Sequence, residues 1–221
     1  MLKKISICFL LISTFCFAKV YGQSSDFGNW LIYLGNKQFN KKWSLHHEIQ
    51  YRNYDAIGDL EQLLLRAGLG YNLTDKSKVL LGYGFIASEN YIGDSDFKNE
   101  VSEHRIYQEF TTKQSVKKMS LTHRYRFEQR FIEDDFRVRF RYFLSLAHPL
   151  FKLNENDNNV YFSSYNEIFL NGDSAIFDRN RLFVGLGVGL SKNLKVEIGY
   201  MNQFFERTSR DQLNIITKLN F

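Results

Sequence analysis

The sequence has few of the residues that interrupt or crosslink a chain. It carries one proline and two cysteines in 221 residues, and both cysteines, Cys8 and Cys16, fall within the first 22. Once that segment is removed no thiol remains, which excludes disulfides, thiol catalysis and thiolate metal ligation together. One proline against 14 glycines argues against a linker-rich multidomain chain. There is no Cys/His cluster, no His-Glu-x-x-His helix motif and no Gly-x-Ser-x-Gly elbow, so neither a metal nor a cofactor is expected. After residue 22 no apolar run approaches the roughly 20 residues that a spanning helix needs.

What the sequence does have is aromatic surface: 21 Phe, 13 Tyr and 2 Trp, 16% of the chain, with 44% hydrophobic and 24% charged residues overall. That is too apolar for disorder and long enough for one substantial domain. Residues 1 to 22 read as a secretory signal. Lys3 and Lys4 precede an apolar run from Ile5 to Ala18, and small residues near Val20-Tyr21-Gly22 suit cleavage before Gln23, with Ala18 as the alternative site. Ser13-Thr14-Phe15 puts a bulky aromatic before Cys16, which argues against a lipoprotein. The formal charge of +5 belongs mostly to this leader: Lys3, Lys4 and Lys19 leave with it, so residues 23 to 221, the single mature domain, keep 26 bases against 24 acids. No nucleic-acid partner is expected from so small a surplus.

The rest alternates apolar and polar with period two, the pattern of a half-buried strand. Over 119 to 131, Met119, Leu121, Tyr125, Phe127 and Phe131 oppose Thr122, Arg124, Arg126, Glu128 and Arg130. Over 136 to 148, Phe136, Val138, Phe140, Tyr142, Leu144 and Leu146 oppose Arg137, Arg139, Arg141 and Ser145. Similar segments fall at 61 to 73, 79 to 88, 180 to 190, 194 to 205 and 212 to 221, and with weaker contrast at 43 to 54, 104 to 114 and 160 to 170. Their length matches the 9 to 11 residues of a tilted membrane strand rather than the five or six of an average soluble one. Parity across hairpins is consistent. Pairing Phe131 with Phe136 sets Phe127 against Phe140 and Glu128 against Arg139; a turn at Ser191-Lys192-Asn193 sets Val188 against Val196 and Gly187 against Glu197. A turn at 74 to 78 sets Leu69 against Tyr83, Gly70 against Gly82 and Gly68 against Gly84. The fold class expected is all-β, an antiparallel up-and-down transmembrane β-barrel of about 10–12 strands.

The apolar faces would then meet lipid and the charges would line the interior. Trp43, Tyr71, Phe131, Phe136, Phe204 and Phe221 sit at strand ends, where interfacial girdles lie. The glycines at 68, 70, 82, 84, 185, 187, 189 and 199 all fall on the polar side, where a small barrel has least room. Closure on Phe221 resembles the aromatic-ended last strand that serves as an assembly signal. Outer-membrane lipid and the barrel-assembly machinery are therefore the partners expected, with localisation in the bacterial outer membrane.

Phe177-Asp178-Arg179-Asn180-Arg181-Leu182-Phe183-Val184-Gly185-Leu186-Gly187, then Glu197-Ile198-Gly199-Tyr200-Met201-Asn202-Gln203, with Tyr165-Asn166-Glu167-Ile168-Phe169 upstream, resemble the core of the bacterial exported family catalogued as domain of unknown function 2490. The resemblance runs from Trp30 and Arg52 to Phe221. It implies a barrel-like, outer-membrane-associated protein of unassigned activity, with no catalytic residues to carry over.

Eleven segments are counted when 27 to 39 is included, yet single-chain bacterial barrels have even strand numbers with both ends in the periplasm. Either 27 to 39 is not a full strand, giving ten, or 89 to 103 hides another, giving twelve. Counted back from Phe221, 89 to 103, 171 to 179 and 206 to 210 lie outside, with 74 to 78, 115 to 118, 150 to 159 and 191 to 193 on the periplasmic side. Loop residues such as Tyr91, Asp94, Asp96 and Lys98 could contact anything outside the cell, and the sequence names no partner for them.

The inner face would carry Arg66, Arg105, Arg124, Arg126, Arg130, Arg137, Arg139, Arg141, Arg179 and Arg181 against Glu48, Glu109, Glu128, Glu167 and Glu197. Two readings of this lining stand: a structural charge network filling the lumen, or a narrow anion-preferring pore or binding site. The site residues singled out are Arg124, Arg126, Arg130, Arg137, Arg139, Arg141, Arg181, Glu128, Glu167 and Glu197. An enzyme is the weaker alternative. A barrel-embedded lipid hydrolase would draw on Ser102-Glu103-His104 or His46-His47-Glu48, but neighbours in a strand point to opposite faces, which spoils such a set. His47 and His123 read as interfacial or packed side chains. A soluble periplasmic β-barrel binding an apolar ligand is the third reading.

Overall fold

A computed structural model describes residues 27 to 221 apart from 57, 94, 154 to 158 and 174; the leader and Asp94 lie outside the described residues. Eleven strands close into one barrel: β1 (Gly28–Gln38), β2 (Trp43–Asn53), β3 (Leu60–Asn72), β4 (Ser77–Tyr91), β5 (Lys98–Val116), β6 (Met119–Ile132), β7 (Asp135–Lys152), β8 (Asn159–Asn171), β9 (Phe177–Gly189), β10 (Leu194–Phe204) and β11 (Ser209–Asn220). Each strand pairs antiparallel with its sequence neighbour. The barrel closes where β1 and β11 pair in parallel, from Gly28 opposite Gln212 to Asn36 opposite Asn220.

The parallel seam overturns the parity expectation. The count is neither ten nor twelve, and the two ends of the wall lie at opposite rims, residue 28 at one and Phe221 at the other. The reason lies in the inner face of β1. Trp30 and Ile32 are buried against Phe183, Met201 and Ile216, with Leu34 and Tyr165 packed alongside, so β1 supplies two of the five buried residues of an apolar patch inside an otherwise charged lumen. Among the described residues no further strand hides in 89 to 103: residues 89 to 91 and 98 to 103 lengthen β4 and β5, and 92 to 97 connect them.

Two of the three hairpin registers fall as the parity argument places them, with Phe131 opposite Phe136, Glu128 opposite Arg139, Val188 opposite Val196 and Gly187 opposite Glu197. The third is displaced by two residues: Leu69 faces Leu81 and Gly68 faces Gly82. The turn begins earlier than expected because the Thr74 hydroxyl accepts the Lys76 and Ser77 amides at 3.2 and 3.0 Å, closing a local side-chain turn. A shift of two keeps every side chain on its face, whereas a shift of one would invert the strand.

Two hairpins are as tight as hairpins get. Lys117-Lys118 and Glu133-Asp134 join their strands, and Lys117 and Glu133 take left-handed φ of 55° and 51°, the conformation that lets a two-residue turn follow the strand twist. The lone proline, Pro149, sits where the register between β7 and β8 shifts, the one kind of strand position at which a missing N–H is tolerated.

The wall is inverted relative to a water-soluble barrel. Leu69, Leu81, Tyr83, Tyr125, Phe140, Leu186 and Ile198 are exposed on the outside, while Glu128, Arg126, Arg139, Glu167 and Glu197 are buried within. Trp43, Tyr71 and Phe221 ring one rim; Phe131, Phe136 and Phe204 ring the other, with Trp43 against Tyr71 at 4.8 Å and Phe131 against Phe136 at 5.2 Å between ring centroids. The outer faces of β3 to β8 also line an apolar hollow of about 890 Å³, walled by Leu69, Leu81, Phe110, Tyr125, Phe140 and Ile168.

Candidate functional site in the lumen

Strand alternation sends every second residue of β5 to β9 into the lumen, where acids and arginines from facing strands meet. Glu128 on β6 is the hub. Fully buried, it accepts from Arg139 Nη2 at 2.7 Å, Arg141 Nη1 at 2.7 Å and Arg126 Nη1 at 3.3 Å. Arg141 also reaches Glu167 at 2.6 Å, and Glu167 accepts from Arg124 at 2.7 Å, so one chain of ion pairs crosses β6, β7 and β8. Arg126 carries it on to Glu109 of β5. Glu103, also on β5, takes Arg105 Nη2 at 2.8 Å and Arg130 Nη2 at 3.0 Å. Across the lumen Glu48 holds Arg66 at 2.8 Å. Arg–carboxylate pairs of this kind suit a space closed to bulk water, because each charge is both neutralised and hydrogen-bonded.

Of the ten residues singled out in the sequence, six meet in the network around Glu128: Arg124, Arg126, Arg139, Arg141, Glu128 and Glu167. Arg130 lies inside as well but in the separate Glu103 pair, and three lie elsewhere. Arg137 is no lumen residue; its side chain is 55% exposed at the rim and pairs with Asp135, because β7 begins only two residues earlier. Glu197 stands apart from the arginines, held by Lys218 and by the hydroxyls of Tyr161 at 2.9 Å and Ser163 at 3.1 Å. Arg181 lies inside with no carboxylate, its Nε donating to Gln203 at 2.7 Å.

The lining expected from the sequence leaves out Arg52 and Trp30, which the fold buries inside. The β1 strand carries its large apolar residues on both faces, so the rule that apolar points outward hides Trp30. In the fold, guanidiniums and rings alternate: Arg52 lies 3.7 Å from the Trp30 centroid, Arg181 lies 4.7 Å from Trp30 and 4.6 Å from Phe169, and Arg141 lies 4.4 Å from Phe169. Such stacks add cation–π attraction to the ion pairs.

Two separate cavities flank the filled middle. One, of about 780 Å³, opens towards the Phe221 rim beside Lys41, Lys42, Lys78, Lys113 and His46. The other, of about 200 Å³, lies towards the Gly28 rim among arginines including Arg52, Arg66, Arg105 and Arg181, with Glu103 as the only carboxylate lining it among the described residues. They share no lining residue; Glu48, Leu64, Tyr107, Arg126 and Glu128, all buried, stand between. At the Gly28 rim Lys98 bridges Asp59 and Glu89, and Tyr91 donates to Asp59 at 2.6 Å. Burial works against the Asp59 carboxylate, but the bonds from Lys98 and Tyr91 outweigh it and hold the carboxyl below its usual range.

No serine–histidine–acid set forms at the positions considered. Ser102 and His104 share the outer face, where His104 meets the Tyr83 hydroxyl at 2.5 Å, while Glu103 points inside to its arginines. His46 lies inside near Glu48 at 3.5 Å; His47 lies outside against Tyr33 and Phe221, and His123 bonds the Tyr142 hydroxyl at 2.8 Å. Among the described residues no three His, Cys, Asp or Glu side chains gather as metal ligands would.

These features define a closed β-barrel with an apolar exterior and an arginine-rich, ion-paired interior. The chain belongs to the family described as "Protein of unknown function (DUF2490)", whose model matches residues 27–214. It is 33% identical over 184 residues to an uncharacterized protein of Methylorubrum extorquens, covering 78% of this chain and 77% of the relative. No solved structure matches.

Proposed function

We propose that the mature chain is an outer-membrane β-barrel whose lumen is closed by its own ion pairs and whose arginine-lined vestibule is an anion-binding site rather than a conduit. The observation that carries this reading is the inverted wall, with aromatic and aliphatic side chains exposed outside and carboxylates and guanidiniums buried inside. Lipid lowers the free energy of the first arrangement, and the barrel closes every backbone hydrogen bond that lipid could not satisfy. The aromatic rings at both rims and the apolar hollow over β3 to β8 suit headgroup and acyl-chain contact respectively. With Phe221 at the periplasmic rim, as the aromatic-ended last strand suggests, the arginine vestibule faces outward. A leader at residues 1 to 22 would provide the export.

The filled lumen favours binding over conduction, because Glu128 and Tyr107 are fully buried and the two cavities do not join. Membrane fractionation tests the location. The protein should stay with outer membranes through carbonate and high-salt washes and migrate faster unboiled than boiled on a gel. Release by carbonate as a monodisperse, detergent-free protein would overturn the reading in favour of a soluble barrel.

A further inference from the structure

Two buried guanidiniums in the lumen form no ion pair among the described residues. Arg52 donates from Nε to Gln50 at 3.0 Å and from Nη1 to Gln62 at 2.6 Å, and Arg181 donates to Gln203 at 2.7 Å; all three acceptors are neutral amides. Neither arginine has a carboxylate at ion-pair distance among the described residues, and each is only 7% exposed. Both stack on Trp30, so the guanidinium carbons lie within about 8.4 Å of each other, the most that 3.7 and 4.7 Å to a shared centroid allow. Arginine does not shed its proton in a protein, and two buried like charges repel one another as well as missing their hydration. The rings of Trp30 and Phe169 offer cation–π attraction but no negative charge. The Trp30 Nε1–H, itself buried, also has no acceptor.

Both arginines line the cavity of about 200 Å³ at the Gly28 rim, whose other arginines are each paired: Arg105 and Arg130 with Glu103, Arg66 with Glu48, Arg139 and Arg141 with Glu128, and Arg179 with Asp178. We infer that this cavity binds a compact phosphoryl-type oxyanion, with Arg52 and Arg181 as its principal ligands. The inference deepens the anion-binding reading above and rests on it, but not on membrane location. A phosphate group near neutral pH carries about −1.5 to −2, enough to balance two guanidiniums, where a carboxylate would leave one unmatched. Its tetrahedral oxygens accept from planar forks arriving from two strands, β2 and β9. The volume admits the oxyanion and a few waters, and falls below the 300 to 1,000 Å³ of pockets that enclose larger organic ligands.

Trp30 is a built-in reporter once Trp43→Phe removes the other tryptophan. Inorganic phosphate, titrated into the purified full-length mature protein in detergent at constant ionic strength, should change Trp30 emission saturably. Chloride and acetate should act at least tenfold more weakly. Arg52→Gln and Arg181→Gln should each weaken the phosphate response at least tenfold, and Arg137→Gln at the exposed rim should leave it unchanged. Should the glutamine variants lose their heat-modifiable migration, Arg52→Lys and Arg181→Lys take their place, keeping the charge but not the fork. A second arm with short-chain phosphatidic acid separates a lipid headgroup from a free anion, and saturation by either supports the assignment. Equal responses to acetate and phosphate would leave a general anion site and overturn the phosphoryl assignment. No response to any anion, or a phosphate response untouched by the variants, would overturn both.

Discussion

Glu128 shows how much one side chain holds in this lumen. Three guanidiniums converge on its two oxygens, so its removal takes a buried counter-charge from Arg126, Arg139 and Arg141 at once and leaves them only Glu109, Asp178 and Glu167. Glu128→Ala should cost about 3–5 kcal/mol, the range found when one partner of a buried ion pair is deleted. Arg137→Ala, at the exposed rim, should stay within about 0.5 kcal/mol, as surface substitutions do. Denaturant unfolding of both variants in detergent checks the contrast; equal effects would show that the network adds little. Residue roles inside the barrel were legible wherever a strand alternated cleanly, which is why Arg139 and Glu128 could be paired in advance. They were not legible for Arg52 and Trp30, because a guanidinium that stacks on a ring instead of meeting a carboxylate leaves no complementary charge to look for.

At the scale of the strand pair, the glycines set how closely neighbouring walls and side chains approach. Gly185 and Gly199 face each other across β9 and β10, with the Phe183 ring lying over both. A Cβ added at Gly199 would sit 2.4 Å from the Val184 carbonyl oxygen and 2.6 Å from the Gly185 Cα, both backbone atoms that cannot swing aside. Gly199→Ala should therefore lower the yield of folded, heat-modifiable barrel severalfold, and a normal yield would show that the β9–β10 pair can part at this point. Gly82 is a milder case, since the added atom would meet the Tyr107 ring at 2.2 Å, a side chain rather than backbone. That these glycines lie on the inner face could be read from parity alone. Which ring each one accommodates could not, because Tyr107 and Phe183 reach their glycines from neighbouring strands or from two residues along.

For the whole molecule, the seam and the filled centre decide what the barrel can do. An even barrel would close antiparallel; here β1 lies parallel to β11, and its inner Trp30 and Ile32 complete an apolar patch with Phe183, Met201 and Ile216. Together with the ion pairs around Glu128 this patch fills the barrel between two vestibules that share no lining residue. In a planar bilayer the purified protein should give no sustained conductance steps at moderate voltage. Steps with anion preference would mean that the charged centre yields and that the chain conducts after all.

The sequence by itself determined ten of the strands, their faces and two of the three hairpin registers read from it, because a period of two and its parity across short turns are local properties that need no third dimension. It also determined that the interior would be rich in arginine. Only the tertiary structure decided the strand number, which depends on whether the first strand finds the last, and which arginines are neutralised, which depends on contacts between strands distant in sequence. Arg52 and Arg181 are 129 positions apart along the chain, and closure of the barrel alone brings them to the same tryptophan.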